Sequence, residues 1–212
     1  MESIEKIVAK QLLDIKAVKL NVENPFTWAS GWKSPIYCDN RKVLSYPAAR
    51  KVVYEAFVEI IKNRFKDVDV IAGVATGAIA YGMMVAEVLG KPFVYVRPKP
   101  KDHGTGAQVE GDLAHGARVV VVEDLISTGG SCIEVVEALR NAGADVLGIV
   151  SIFTYGMQKG IDRIAAANTK NYSLSNLDAL VEVAADEGYI KAEDKERILK
   201  FRNNPSDESW IK

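Results

Sequence analysis

The chain has 212 residues, 48% of them apolar, so it can bury a sizeable core without help from disulfides or metal ions. Its 27 Lys and Arg residues are balanced by 28 Asp and Glu, and the net charge of -1 excludes a general attraction to nucleic acid or to anionic membranes. The two cysteines, Cys38 and Cys132, are too few for a disulfide scaffold and form no zinc motif. We find no signal peptide and no stretch near the roughly 20 apolar residues that span a bilayer, so we expect a cytoplasmic protein without membrane or nucleic-acid partners.

Two amphipathic helices are predicted near the amino terminus, at residues 3–17 and 47–65. In both segments apolar residues recur at the three- and four-residue spacing of a helix face. Between them, residues 26–46 (FTWASGWKSPIYCDNRKVLSY) are rich in aromatics and turn formers and have no helical period. This segment therefore predicts short strands and loops.

From residue 68 onward, short apolar runs alternate with helical stretches. The runs VDVIAG, PFVYVRP, ARVVVVED and ADVLGIVSIFTY have the composition of buried strands, and AIAYGMMVAEVLG and SCIEVVEALRNAG have that of helices. Strands that alternate with helices in this way predict an α/β fold with a mostly parallel central sheet flanked by helices. We expect one domain over residues 1–212.

The last third of the chain is predicted to be helical. Residues 176–190 and 192–204 have helical patterns, and we expect the region from 157 to complete one face of the sheet. The tail from residue 203 is expected to be frayed or lightly packed.

The most informative stretch is VVVVEDLISTGGS, residues 119–131, where four valines end at Glu123 and Asp124. Ligands of an open parallel sheet bind at the carboxyl ends of its strands, which is where these carboxylates stand. Carboxylates accept hydrogen bonds from hydroxyls, and a glycine-rich turn that opens a helix favours a phosphate, so together they suit a phosphorylated sugar. The alternative is that the acids merely end a strand and that a serine caps the helix. The phosphate turn lacks the Lys of a nucleoside triphosphate P-loop.

Residues 99–116 are polar and glycine-rich and lie between two predicted strands, which indicates a mobile loop. Arg97, Lys99, Lys101 and His103 concentrate positive charge there, so the segment could close over a pyrophosphate and counter the charge on a leaving group. His103 could also transfer a proton, because an ordinary histidine pKa lies near 6.5. The alternative is a solvated basic hairpin.

A second candidate anion loop is GVATGAIA, residues 73–80, which follows a strand and opens a helix around Thr76. Glycine-rich turns of this kind are often purely structural, and both interpretations stay open.

These segments resemble a known family. VVVVEDLISTGGS is similar to the phosphoribosyl pyrophosphate signature of type I phosphoribosyltransferases. FTWASGWKSPIYCDNR resembles the amino-terminal hood of the orotate phosphoribosyltransferases, here mainly residues 1–45, and RPKPKDHGTG resembles their mobile catalytic loop. The resemblance implies transfer of the ribose 5-phosphate group of phosphoribosyl pyrophosphate to orotate, in the pyrimidine (UMP) biosynthesis pathway.

The resemblance also implies roles for particular residues. Catalytic roles fall to Lys101, His103 and Asp124. Binding of phosphoribosyl pyrophosphate falls to Arg97, Lys101, His103, Thr76, Glu123, Asp124, Leu125, Ile126, Ser127, Thr128, Gly129, Gly130 and Ser131. Orotate contacts fall to Ser127, Lys33, Tyr37 and Arg41, with Lys42 as a further hood candidate. The family further implies Mg²⁺ that enters with phosphoribosyl pyrophosphate and a homodimer in which the loop acts across the interface. In the family the turn at Ala75, Thr76 and Gly77 touches pyrophosphate and can hold a cis peptide bond.

Two rival functions keep the same fold. A purine phosphoribosyltransferase would retain the signature at residues 119–131 but should differ in the hood. A regulator that binds phosphoribosyl pyrophosphate as a signal while gripping RNA or DNA would need a basic face or an added domain, and the chain has neither excess positive charge nor spare length.

Overall fold

The computed structural model describes residues 3–97 and 108–211. Its strands are β1 (Val18–Leu20), β2 (Phe26–Thr27), β3 (Lys33–Ser34), β4 (Ile36–Cys38), β5 (Val70–Val74), β6 (Phe93–Val96), β7 (Val109–Glu110), β8 (Arg118–Ile126), β9 (Asp145–Thr154) and β10 (Asn171–Asn176). Its α-helices are α1 (Ile4–Asp14), α2 (Pro47–Arg64), α3 (Ile79–Leu89), α4 (Gly130–Asn141), α5 (Gln158–Ala166), α6 (Leu177–Asp186) and α7 (Asp194–Asn203). Short 3₁₀ helices cover Asn40–Ser45 and Glu208–Ile211.

A six-stranded sheet forms the centre, in the order β10-β9-β8-β5-β6-β7. All neighbouring strands are parallel except β7, which pairs antiparallel with β6. The chain runs from β5 to β6 in one direction along the sheet and from β8 through β9 to β10 in the other. The strand order therefore reverses between β5 and β8, and a cleft for ligands is expected at the carboxyl ends of these two strands. The predicted α/β class with a mostly parallel sheet is confirmed.

Helices cover the sheet in two layers. Helix α3 connects β5 to β6, and α4 connects β8 to β9. Right-handed crossovers that run in opposite directions along a sheet put their helices on opposite faces. Helices α3 and α4 therefore lie on different faces of the sheet. Helices α1, α2 and α3 pack in succession, whereas α5 packs against α4. Burial on both faces accounts for the unbroken valine run of β8, since Val119 to Val122 are fully buried.

The hood consists of two small antiparallel pairs, β1 with β4 and β2 with β3, as the turn-rich sequence predicted. The half-buried Trp28 anchors it to the main body. The Trp28 ring lies 5.1 Å from Tyr155 and 5.5 Å from Phe201, and its Nε1 donates to the carbonyl oxygen of Ile36 at 3.0 Å. Aromatic pairs at such distances add to burial, so they fix the hood over the carboxyl edge of the sheet.

The prediction for the last third of the chain is wrong in two places. Residues 171–176 form a strand at the sheet edge, where β10 pairs with β9. The tail is not lightly packed, because Trp210 is 1% exposed and its ring lies 5.8 Å from that of Phe201. Helices α6 and α7 lie within the predicted helical segments. No helix within residues 3–97 and 108–211 is long and apolar enough to cross a membrane.

Candidate active site

Three strand ends meet at the carboxyl edge of the sheet, on either side of the point where the strand order reverses. Glu123 and Asp124 lie near the end of β8, Thr76 follows β5, and Arg97 follows β6. The structure therefore brings together Glu123 and Asp124 of the signature, Thr76 of the second candidate loop and Arg97, which precedes the predicted catalytic loop. Lys101 and His103, like the rest of residues 98–107, lie outside the described part of the chain.

The two acids of the signature have different surroundings. Glu123 is 4% exposed, and its Oε1 accepts the N–H of Asp124 at 2.8 Å. Burial, followed by the charge of Asp124, raises the pKa of Glu123 well above its ordinary value. Asp124 is half-buried, and its carboxylate lies so close to Gly77 that a β-carbon there would overlap it. This close approach joins the signature to the turn after β5.

Asn40 links the hood to this pair. It is 1% exposed, and its Nδ2 donates to the carbonyl oxygen of Asp124 at 2.6 Å. The Tyr81 hydroxyl donates to the carbonyl oxygen of Asn40 at 2.7 Å, and the Cys38 thiol donates to its Oδ1 at 3.2 Å. Asn40 thus holds the main chain at Asp124 from the hood.

The predicted phosphate turn surrounds a cavity of about 160 Å³ at the start of α4. Gly129 is the N-cap and has φ 73°, the left-handed region that favours glycine. Backbone N–H groups at a helix start have no partner within the helix and point toward anions, where the helix dipole also favours negative charge. The lining consists of Glu123, Leu125, Ile126, Ser127, Thr128, Gly129, Gly130, Ser131 and Cys132. The cavity can therefore hold a phosphate group.

Helix α5 lies in the region that was predicted to be helical, and it packs directly on this turn. Gly160 has no space for a side chain, since a β-carbon there would lie 2.6 Å from the carbonyl oxygen of Ser127. Arg163 Nη1 donates to the carbonyl oxygen of Thr128 at 3.0 Å. The two contacts fix the first turns of α5 against the phosphate turn.

A larger cavity of about 530 Å³ lies next to the first and shares Leu125, Ser127 and Thr128 with it. Its lining contains the four aromatic side chains Trp28, Trp32, Tyr37 and Tyr155. Cys38 and Lys159 also line it. Burial raises the pKa of both the Tyr155 phenol and the Cys38 thiol well above their ordinary values, so both groups are neutral at physiological pH. Flat aromatic walls beside a phosphate site suit a planar heterocycle.

The three hood residues predicted to contact orotate do not all lie at the larger cavity. Tyr37 lines the larger cavity. Lys33 Nζ donates to Thr27 Oγ1 at 2.8 Å, and Arg41 Nε pairs with Asp39 Oδ1 at 2.7 Å while its side chain is 64% exposed. Lys33 and Arg41 are not among the described residues that line this cavity.

The remaining predicted contacts lie around the rim. The peptide bond between Ala75 and Thr76 is cis, and Thr76 is exposed beside the cleft. Arg97 is exposed and its Nη1 lies 3.9 Å from Glu110 Oε1, so the guanidinium lies beside β7. Lys42 Nζ donates to the carbonyl oxygen of Lys16 at 3.2 Å and therefore has a structural contact within the hood.

Sequence reasoning did not single out Asn40, Gly160, Arg163 or Lys159. Asn40 stands in the CDNR segment between turn formers, where an asparagine gives no sign that it will be buried. The other three belong to α5, and a glycine inside a nine-residue helix weakens the helical signal.

Comparisons with known proteins identify the family. The model described as "Phosphoribosyl transferase domain" matches residues 39–185. The chain is 50% identical over 210 residues to the orotate phosphoribosyltransferase of Porphyromonas gingivalis, covering 99% of each chain. It is 52% identical over 210 residues to that of Listeria monocytogenes, covering 99% of this chain and 100% of the relative. The crystal structure of orotate phosphoribosyltransferase from Aeropyrum pernix has a TM-score of 0.74 and 32% identity, covering 86% of this chain and 99% of that one. The chain therefore belongs to the orotate phosphoribosyltransferases.

Proposed function

We propose that the chain transfers the ribose 5-phosphate group of phosphoribosyl pyrophosphate to orotate, giving orotidine 5'-phosphate and pyrophosphate, in pyrimidine biosynthesis. The observation that carries the proposal is the pair of adjoining cavities. One is lined by the phosphate turn and the other by aromatic side chains, and both share Leu125, Ser127 and Thr128. A nucleoside monophosphate has this division between a phosphate and a planar base.

Each part of the sugar phosphate has a matching group. The amides and hydroxyls from Ser127 to Ser131 bind the 5-phosphate at the start of α4. Asp124 and Glu123 accept hydrogen bonds from the ribose hydroxyls, and the Asp124 carboxylate counters the positive charge that develops on the ribose as the bond to pyrophosphate breaks. Orotate then attacks through its ring nitrogen, and Ser127 and Tyr37 contact the base. Catalysis is mainly orientation and charge stabilisation, without a covalent intermediate.

Arg97, Lys101 and His103 bind the pyrophosphate and counter its growing charge as the loop closes. Thr76 contacts the same group from the turn after β5. In this proposal the loop acts across a homodimer interface, and the enzyme works in the cytoplasm.

Mg²⁺ would be held in the site together with phosphoribosyl pyrophosphate. Within residues 3–97 and 108–211, no group of three or more His, Cys, Asp or Glu side chains is arranged to hold a metal ion. Such a site fits an ion that takes most of its oxygen ligands from substrate and water, with Asp124 as the available carboxylate. When bound, Mg²⁺ neutralises part of the pyrophosphate charge.

The first test follows orotate absorbance after addition of purified protein, phosphoribosyl pyrophosphate and Mg²⁺. We expect a decrease that stops when Mg²⁺ is omitted. Adenine, hypoxanthine, guanine and xanthine should not replace orotate; turnover of a purine with no turnover of orotate would refute the proposal. A flat trace together with nucleic-acid retention on filters at physiological salt would instead favour the regulator.

Lys101→Ala tests the loop. The variant should lose most of its kcat while its thermal unfolding stays that of the wild type, because the charge that meets the leaving group is gone. Near wild-type turnover in this variant would refute the assignment of the loop.

A further inference from the structure

The position of Lys159 is fixed by its neighbours in α5. It is the second residue of that helix and directly precedes Gly160, which packs on the carbonyl oxygen of Ser127. Arg163, one turn later, holds the carbonyl oxygen of Thr128 at 3.0 Å. Because both contacts are made to the turn that separates the two cavities, the backbone at Lys159 is held beside the larger one, which its side chain lines.

The larger cavity is otherwise uncharged. Its walls are aromatic rings and small neutral groups, and burial keeps the Tyr155 phenol and the Cys38 thiol protonated. Of the described residues that line it, Lys159 alone carries a charge. Lys159 is exposed in the free chain, and a ring bound in the cavity would exclude part of the water around its ammonium group. A single cation there favours an anionic group on the ligand, since a charge is worth more where water is partly excluded.

Two cations of the hood already have partners. Lys33 donates to Thr27, and Arg41 is paired with Asp39. Lys159, by contrast, has no ion-pair partner among the described residues, and the nearby Asp162 accepts from Gln158 Nε2 at 2.7 Å. The ammonium group of Lys159 is therefore available, and the positive end of the α5 dipole adds to its field.

We propose that Lys159 determines selectivity for an acidic pyrimidine, by pairing its ammonium group with the ring carboxylate of orotate while the aromatic walls hold the ring. This inference rests on the proposed function and assigns its base selectivity to one residue. Uracil, which differs from orotate by that carboxylate, loses the pair and is disfavoured.

Equilibrium binding of two nucleotides isolates this contact, because orotidine 5'-phosphate and uridine 5'-phosphate differ only in the carboxylate. Titration calorimetry on the full chain should show that the wild type prefers orotidine 5'-phosphate. Lys159→Ala should weaken orotidine 5'-phosphate by about 10- to 100-fold, as expected for a hydrogen bond between charged groups, and leave uridine 5'-phosphate unchanged. Lys159→Arg should retain most of the preference.

The matched control is Lys51→Ala. Lys51 is exposed on α2, pairs with Glu55 at 3.7 Å and lines none of the described cavities, so its loss should change neither affinity. Thermal unfolding of each variant establishes that it is folded.

Three outcomes overturn the inference, and they are distinguishable. An unchanged preference in Lys159→Ala overturns it while orotate turnover by the wild type leaves the proposed function intact. An equal loss for both nucleotides indicates a structural effect and overturns it as well. A wild type that turns over no orotate refutes the proposed function and the inference together.

Discussion

Replacing Gly160 by alanine tests whether α5 supports the phosphate turn. The added β-carbon would lie 2.6 Å from the carbonyl oxygen of Ser127, and an ordinary contact begins at 3.4 Å, so one of the two backbones must move by about 0.8 Å. Both atoms belong to the main chain, and neither can turn aside as a long side chain would. Overpacking of this kind costs about 1–3 kcal/mol.

The cost divides between the helix and the turn. Movement of α5 lowers the stability, and for a chain of this size the melting temperature falls by about 2–4 °C for each kcal/mol. Movement of the turn displaces the amides that meet the 5-phosphate. If about half of the cost falls on the turn, the KM for phosphoribosyl pyrophosphate rises by about 2- to 12-fold while the KM for orotate changes less.

The assay follows orotate absorbance at varied phosphoribosyl pyrophosphate, together with a thermal melt. Gly188→Ala is the matched control, because Gly188 has φ 76° and open space around it. That change should cost about 1–2 kcal/mol of stability through backbone strain alone and leave both KM values unaltered. Wild-type KM and melting temperature in Gly160→Ala would refute the claim that α5 supports the turn.

Two further substitutions test the signature, one at Glu123 within it and one at Asn40, which contacts it from the hood. Glu123→Gln should abolish most turnover yet raise stability relative to the wild type. The pKa of Glu123 in the folded state lies above the unfolded value of about 4.3, so wild-type stability falls as pH rises between these two values. The stability gained by the variant should therefore grow from acid to neutral pH in thermal melts, and a pH-independent difference would contradict the raised pKa. Asn40→Ala should cost about 1–3 kcal/mol and lower kcat, because the carbonyl oxygen of Asp124 loses its donor. Tyr81→Phe, which removes a hydrogen bond from the same network without touching Asp124, should lower stability but reduce kcat less; equal loss of kcat in both would refute a specific role for Asn40.

The sheet and the phosphate turn could be predicted because their signals are local. Val119 to Val122 are fully buried in β8, and an unbroken valine run is what burial on both faces of a parallel strand requires. Gly129 adopts φ 73° at the N-cap of α4, a conformation that glycine adopts without strain and that other residues rarely adopt. In both cases the residues that determine the structure are adjacent in the sequence.

The missed elements depend on distant residues. Strand β10 (NYSLSN) is mostly polar, and it becomes a strand because it pairs with Ile149 to Thr154 of β9 at the sheet edge. Trp210 stands in a polar tail and is buried because it packs against the ring of Phe201. Helix α5 was predicted as part of a helical region, but its contact with the phosphate turn was not, because the reason for Gly160 is the carbonyl oxygen of Ser127, which is distant in the sequence.

The same distinction explains why the signature predicts phosphoribosyl pyrophosphate more firmly than it predicts the base. The phosphate turn is one continuous segment, and its chemistry follows from its own backbone. The base cavity takes Trp28 from the hood, Tyr155 from the end of β9 and Lys159 from α5, and these segments meet only in the folded chain. Substitutions in any one of them could change base selectivity while the phosphate turn stays intact, so a family with one phosphate site can serve several bases.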